Sequence, residues 1–260
     1  MIKHVRWMGA GAVAVAAIVS SVALLAQPRP RTDGLKFPLP AEPRVYDTFR
    51  QKIKVSVVAR GIERPWSLLP LPDGDFLVSV RPTGQILAIR KGVLDPKPLT
   101  GLPAMHVTRN TGMLDIAMHP KFAENKWIYF TYHKPLEGET YTLALARGRY
   151  DGAGLSDVKD LYVGNAVRTG GSRLTFASDG LIYLTVGGAG RSPDAQALTT
   201  IYGKVLRLKD DGTVPADNPF TGKAGARPEI FTFGHRDHFA TSSPPLADTS
   251  PSDSSSALRR

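Results

Sequence analysis

The chain contains no cysteine, which excludes disulfides, thiolate metal sites and cysteine nucleophiles together. It also lacks any run or stripe of basic residues, although its formal charge is +10 and its pI about 9.9. A nucleic-acid footprint needs such a cluster. The scattered excess reads instead as solubility and weak attraction for anions, and no nucleic-acid partner is expected. No stretch sustains the 3.6-residue apolar period of a long helix. There is no G-x-S-x-G elbow and no H-E-x-x-H pair, so serine-hydrolase and zincin chemistry have no support. Gly187-Gly188-Ala189-Gly190 is not followed by a helical pattern, which argues against a phosphate loop. His106 and His133 have no partner at metal-ligand spacing, and His119 before Pro120 reads as a turn residue. Asp210-Asp211-Gly212 with Asp217-Asn218 falls short of an EF-hand loop and reads as turn chemistry. No metal ligand is assigned.

What is present is glycine and proline, 25 and 21 residues, in a chain that is 42% hydrophobic. That composition favours a folded protein of many short elements joined by tight turns. Lys3, His4 and Arg6 precede an uncharged run from Trp7 to Ala26. Residues 1–26 therefore read as an export signal cleaved before Gln27, or as an uncleaved membrane anchor. Either places the remainder outside the cytoplasm, periplasmic or secreted, with the membrane touched only through that segment. Residues 27–50, rich in proline and charge, read as a linker.

Three segments repeat. Pro72-Asp73-Gly74 precedes Phe76–Val80, Glu124-Asn125-Lys126 precedes Trp127–Tyr132, and Ser178-Asp179-Gly180 precedes Ile182–Val186. Aligned on Asp73, Asn125 and Asp179, the intervals are 52 and 54 residues (73 to 125, 125 to 179). Each segment is an Asx-type turn followed by β-branched and aromatic residues, which predicts a strand. A strand-rich period near 40–50 residues points to the four-stranded blades of a β-propeller; a β-sandwich is the alternative. Further strands are expected at Ile53–Ala59, Gln85–Arg90, Leu143–Tyr150, Lys204–Leu208 and Glu229–Phe233, with short helical turns near Pro120–Ala123 and Pro193–Thr199.

Four motifs then carry a family resemblance. Gly112-Met113-Leu114-Asp115-Ile116-Ala117-Met118-His119-Pro120-Lys121-Phe122 resembles the G-L-L-D-V-A-L-H-P-x-F segment of the glucose/sorbosone dehydrogenase family. Gly171-Ser172-Arg173-Leu174-Thr175-Phe176 is similar to its G-x-R-L-x-F strand. Tyr202–Leu208 with Asp211–Phe220 is similar to G-K-V-L-R-L…D-G-S-I-P-x-D-N-P-F, and Pro228–Arg236 to P-E-I-x-x-x-G-H-R. The resemblance covers about residues 55–236. It implies an all-β, six-bladed propeller of the quinoprotein sugar dehydrogenase type, binding pyrroloquinoline quinone (PQQ) and calcium and oxidising a sugar at its anomeric carbon. A base would take the anomeric hydroxyl proton, and an arginine would polarise a quinone carbonyl.

By the same resemblance, Thr169 occupies the position of the family's catalytic His, and a hydroxyl is no useful base near neutral pH. Asn110 stands where a Gln approaches the site, Arg236 matches the Arg beside the quinone, and Asp237 replaces the following Asn. Arg173 is a cofactor-binding candidate, with support of its strand end as the other reading. The resemblance stops at Arg236. Residues 237–260 hold seven Ser and three Pro with no alternating apolar run, and read as a disordered tail. Residues 51–236 are expected to form a partial propeller of about 3.5 blades. The functional expectation is a PQQ-dependent sugar dehydrogenase, or an inactive truncated propeller acting as a binding module.

Overall fold

The computed structural model describes residues 39–166, 168–188 and 192–237. The apolar N-terminal run of residues 1–26 and the tail beyond Asp237 lie outside them. Among the described residues no helix is long and apolar enough to cross a membrane. The chain divides into two compact units, residues 1–57 and 58–260.

In the first unit, β1 (Arg44–Asp47) and β2 (Lys52–Val55) form an antiparallel hairpin with Val45 opposite Lys54. The turn is closed by Thr48, whose hydroxyl donates to the Gln51 carbonyl and accepts from its N–H. This hairpin crosses the boundary expected at residue 50, so the linker reading of 27–50 is corrected at its C-terminal end. Tyr46 and Ile53 pair across the two strands. Strand β2 also ends at Val55, short of the Ala59 expected.

The second unit holds three four-stranded antiparallel sheets, each an up-and-down meander in chain order. The first contains β3 (Pro65–Pro70), β4 (Phe76–Val80), β5 (Gln85–Arg90) and β6 (Val93–Leu94). The second contains β7 (Met113–Met118), β8 (Trp127–Leu136), β9 (Thr140–Tyr150) and β10 (Leu155–Val163). The third contains β11 (Leu174–Phe176), β12 (Ile182–Val186), β13 (Lys204–Leu208) and β14 (Ile230–Phe233). Short helices α1 (Phe122–Asn125) and α2 (Ser192–Gln196) precede β8 and β13. The first strands adjoin, β3 against β7 and β7 against β11. That is blade architecture, with three complete blades among the described residues where about 3.5 were expected.

The repeat has a local cause. The side-chain oxygens of Asp73, Asn125 and Asp179 each accept from the backbone N–H two residues on, at Asp75, Trp127 and Leu181. The intervening residue takes a left-handed conformation in all three turns: Gly74 (φ 87°), Lys126 (φ 57°) and Gly180 (φ 82°). Glycine does this without a Cβ penalty; Lys126 does it as the C-cap of α1, where its N–H bonds the Phe122 carbonyl.

Two apolar clusters fill the spaces between blades. Leu77, Ile86 and Ala88 meet Ile128, Phe130 and Tyr132 in one; Tyr129, Leu143 and Leu145 meet Leu184, Leu206 and Ile230 in the other. Successive residues of β8 and β9 therefore point to opposite clusters, the period-2 alternation of a strand buried on both faces. At roughly 1.5–3 kcal/mol for each large apolar side chain buried, these interfaces are the main stabilisation of the unit.

Candidate functional site

The first strands of the three blades start at the same end of the unit, where Trp66 at the start of β3 bonds Ser172 before β11, and Asp115 near the start of β7 meets Arg173. The loops there contribute Arg64, Arg81, Arg109, Arg168, Arg173 and Arg236. Their charges act on one another: burial and then the charge of Arg64 hold the Arg81 guanidinium below its ordinary pKa. The same loops also carry Glu63, Glu137, Glu139, Asp194 and Asp237, and the turns at the opposite end carry Asp73, Asp75, Asp151, Asp179, Asp210 and Asp211 interspersed with lysines. A cavity of about 820 Å³ also lies at that opposite end, lined by His119, Lys121, Phe176, Asp179, Lys209 and Asp210. None of the candidate site residues line it. Its His119 is held by the fold, with Nδ1 accepting from the Lys121 N–H and lying 2.7 Å from the Asn125 amide nitrogen.

Irregular strand pairing shapes the arginine-rich end. The β3–β4 register shifts between Pro65 and Ser67, and the β7–β8 register between Met113 and Ile116. Such bulges redirect the side chains they carry. The first holds Trp66, whose indole donates to the Ser172 carbonyl at 3.2 Å. Its ring carries the Arg81 guanidinium at 4.4 Å and that of Arg173 at 4.9 Å. The second holds Asp115, whose N–H bonds the Thr131 hydroxyl and whose carboxylate meets Arg173 at 3.3 Å and the Leu174 N–H at 2.7 Å. Arg173 is thus bound to Trp66 and Asp115 and ties three blades together.

Thr169 is buried, and its Oγ1 has no hydrogen-bond partner among the described residues. The backbone beside it pairs with the end of β12, Gly170 N–H to Gly187 carbonyl at 3.1 Å and Gly187 N–H to Gly171 carbonyl at 2.8 Å. Oδ1 of Asp237 stands over both glycines, so closely that a Cβ at either would collide with it. The Arg236 carbonyl accepts from Gly188 N–H at 2.6 Å, while its side chain is exposed. Asn110 is exposed and makes a separate, long contact with Arg64 at 3.5 Å. Of the four sequence candidates, Thr169 and Arg236 therefore share one wall, Arg173 braces it, and Asn110 stands in the Arg64 pair.

Two buried groups were not among the site candidates. His133, on β8, accepts from Gly112 N–H at Nδ1 (3.1 Å), and its Nε2 donates to the Gly170 carbonyl (3.2 Å). Burial pushes its pKa down to about 4, so it is a neutral structural strut at pH 7. Lys204, on β13, is fully buried and donates to the carbonyls of Asp194, Ala195 and Tyr202 at 3.0, 2.8 and 2.6 Å. Burial lowers its pKa to about 8. It anchors α2, and Ala195 and Gly203 in turn hold the backbone of Gly234 and His235, just before Arg236.

Six arginines, two of them stacked on Trp66, thus share one end of a set of propeller blades. Comparison makes this specific: the family model described as Glucose / Sorbosone dehydrogenase matches residues 62–247, and the chain belongs to that family. The match runs past Arg236, where the motif resemblance stopped. The chain is 37% identical over 207 residues to an uncharacterized protein, slr1608, of Synechocystis, covering 71% of this chain and 50% of that one. It is 31% identical over 194 residues to the aldose sugar dehydrogenase YliI of Escherichia coli, covering 71% and 51%. With quinoprotein glucose dehydrogenase B of Acinetobacter calcoaceticus, identity is 30% over 219 residues, covering 69% and 44%. The chain thus spans about half the length of the curated relatives it matches. Among solved structures, a glucose dehydrogenase aligns with a TM-score of 0.66 at 32% identity, covering 70% of this chain and 54% of that one. The PQQ-bound aldose sugar dehydrogenase of Streptomyces coelicolor aligns with a TM-score of 0.61 at 27% identity, covering 77% and 57%.

Proposed function

We propose that this protein is an exported oxidoreductase that binds PQQ at the arginine-rich end and oxidises an aldose at its anomeric carbon. The carrying observation is that loops of all three blades place arginines at one end, where the Arg236 carbonyl is bonded to Gly188 beside Gly170 and Gly187. PQQ is a planar tricarboxylate, and guanidinium groups are the side chains best suited to planar carboxylates. The residues present therefore fit the anionic part of the cofactor. Arg168 and Arg236, both exposed, are its proposed partners. When bound, PQQ supplies a two-electron acceptor; the chain supplies orientation and charge. Among the described residues no three His, Asp or Glu side chains gather, and no residue is assigned to calcium.

Arg173 and Lys204 hold the wall, the first through Asp115 and Trp66, the second through α2. His133 holds the Gly170 carbonyl through its Nε2. The second reading, a noncatalytic binding module, is favoured by Thr169, whose hydroxyl cannot serve as the expected base. Titrating PQQ into the full-length chain while following dye reduction with several aldoses separates the two. Saturable binding with quinone-dependent turnover is expected, and Arg236→Ala should weaken binding roughly tenfold, the order of one charge-assisted hydrogen bond. Binding without turnover would leave the module reading; no binding would overturn both.

A further inference from the structure

We infer that Asp237 is the proton acceptor of this site, receiving the proton of the substrate's anomeric hydroxyl. This rests on the oxidoreductase reading above. Oxidation of a hemiacetal carbon breaks its C–H and O–H bonds and forms a C=O bond. The hydride leaves to a two-electron acceptor of the ortho-quinone class, and the proton must go to a base. The sugar becomes a lactone, and charge and electrons balance.

The groups at this end differ sharply in fitness for that task. The Thr169 hydroxyl cannot take up a further proton near neutral pH. Both ring nitrogens of His133 are bonded to backbone, one to Gly112 and one to Gly170. Nε2 of His235 lies 2.8 Å from the Thr232 hydroxyl, and Nδ1 of His106 lies 3.1 Å from that of Thr111. The His106 ring is stacked on Tyr141 with centroids 4.5 Å apart. The two oxygens of Asp115 meet Arg173 and Leu174 N–H. Asp237 differs in place and chemistry. Its Oδ1 stands against Gly170 and Gly187, one residue from Thr169, in a notch that exists because neither glycine has a Cβ. A carboxylate has about four acceptor positions, so it can accept from a neighbour and still receive a hydroxyl proton. The backbone bond from Gly188 N–H to the Arg236 carbonyl fixes the strand end that presents it.

The test uses the full-length chain, Asp237→Asn, Thr169→His and the double variant. Without PQQ, equilibrium binding of D-glucose is compared with that of 1,5-anhydro-D-glucitol, which lacks the anomeric hydroxyl. The parent should favour glucose by about tenfold or more, as one hydrogen bond to a charged group implies. Asp237→Asn should reduce that preference to within about twofold and leave the anhydro sugar's affinity in place. With PQQ, Asp237→Asn should lower kcat by roughly 10²–10⁴ with a smaller change in KM. Thr169→His in that background should restore turnover with an acid limb in the imidazole range, about 6.5. Asp237→Ser serves as the second neutral variant should Asn disturb folding. Unchanged glucose preference in the variants, absent glucose binding, or full turnover without the carboxylate would each overturn the inference. Failure of the oxidoreductase reading looks different: PQQ does not bind, while the glucose preference still depends on Asp237.

Discussion

The second and third blades have the same strand order and nearly the same turn, yet they are buried differently. In the second, β8 and β9 send alternate residues into the two clusters, and Ile128, Tyr129, Phe130 and Tyr132 are all fully buried. In the third, Ile182, Leu184 and Val186 fill one cluster, while Tyr183, Val205 and Phe231 on the other face are only half-buried. That second face is covered by the chain's own loop. Arg207 lies 5.0 Å over the Phe231 ring, bonds the Asn218 side chain and pairs with Asp217 at 2.7 Å. The difference shows that a blade's interior is made by its neighbours. Where a neighbouring blade packs, both faces are apolar; where a loop packs, half-buried Tyr183, Val205 and Phe231 share the face with Arg207, held by Asn218 and Asp217.

The comparison can be broken at several points. Phe130→Ala in the second blade should cost about 3–5 kcal/mol, the range for a large buried aromatic. It should appear as a lower midpoint of urea unfolding with the slope unchanged. Acidification comes next. His133 titrates near 4 when folded, below the 6.5 of an unfolded imidazole. Its contribution is therefore complete above about pH 6.5 and lost as pH falls toward 4, on the order of 3 kcal/mol. His133→Gln should flatten that part of the stability profile, measured by denaturant titration at several pH values. Smallest is Asn218→Ala, which removes bonds to the Arg207 and Pro228 carbonyls in the third blade. A loss of about 1–3 kcal/mol is expected from the buried groups left unpaired. A loss as large as that of Phe130→Ala would mean that the two blades are not stabilised differently.

Much of the fold was legible. The intervals between Asp73, Asn125 and Asp179 mark three turns with the same side-chain hydrogen bond, and β5 and β13 fall on the residues expected. Strand β10 was not legible. Its Ser156–Asp160 stretch is polar, Asp157 has φ 51°, and its pairing with β9 shifts register twice. Strand β3 was hidden by prolines at both ends. Thr169 and Arg236 are named by the motifs and lie near each other in the fold, whereas a histidine within an aromatic strand, such as His133, announces nothing about its partners.

The sequence by itself determined the turns, the strand alternation and the four motifs, because each depends on residues within a few positions of one another. Tertiary structure alone decided that the arginines share one end, that Arg173 belongs to Asp115 and Trp66, and that Asp237 stands against Gly170. Those contacts join residues 58 to 107 positions apart (115 to 173, 66 to 173, 170 to 237). The physical reason lies in blade packing, since burying the apolar faces brings the first strands together and carries every loop at their starts to the same place.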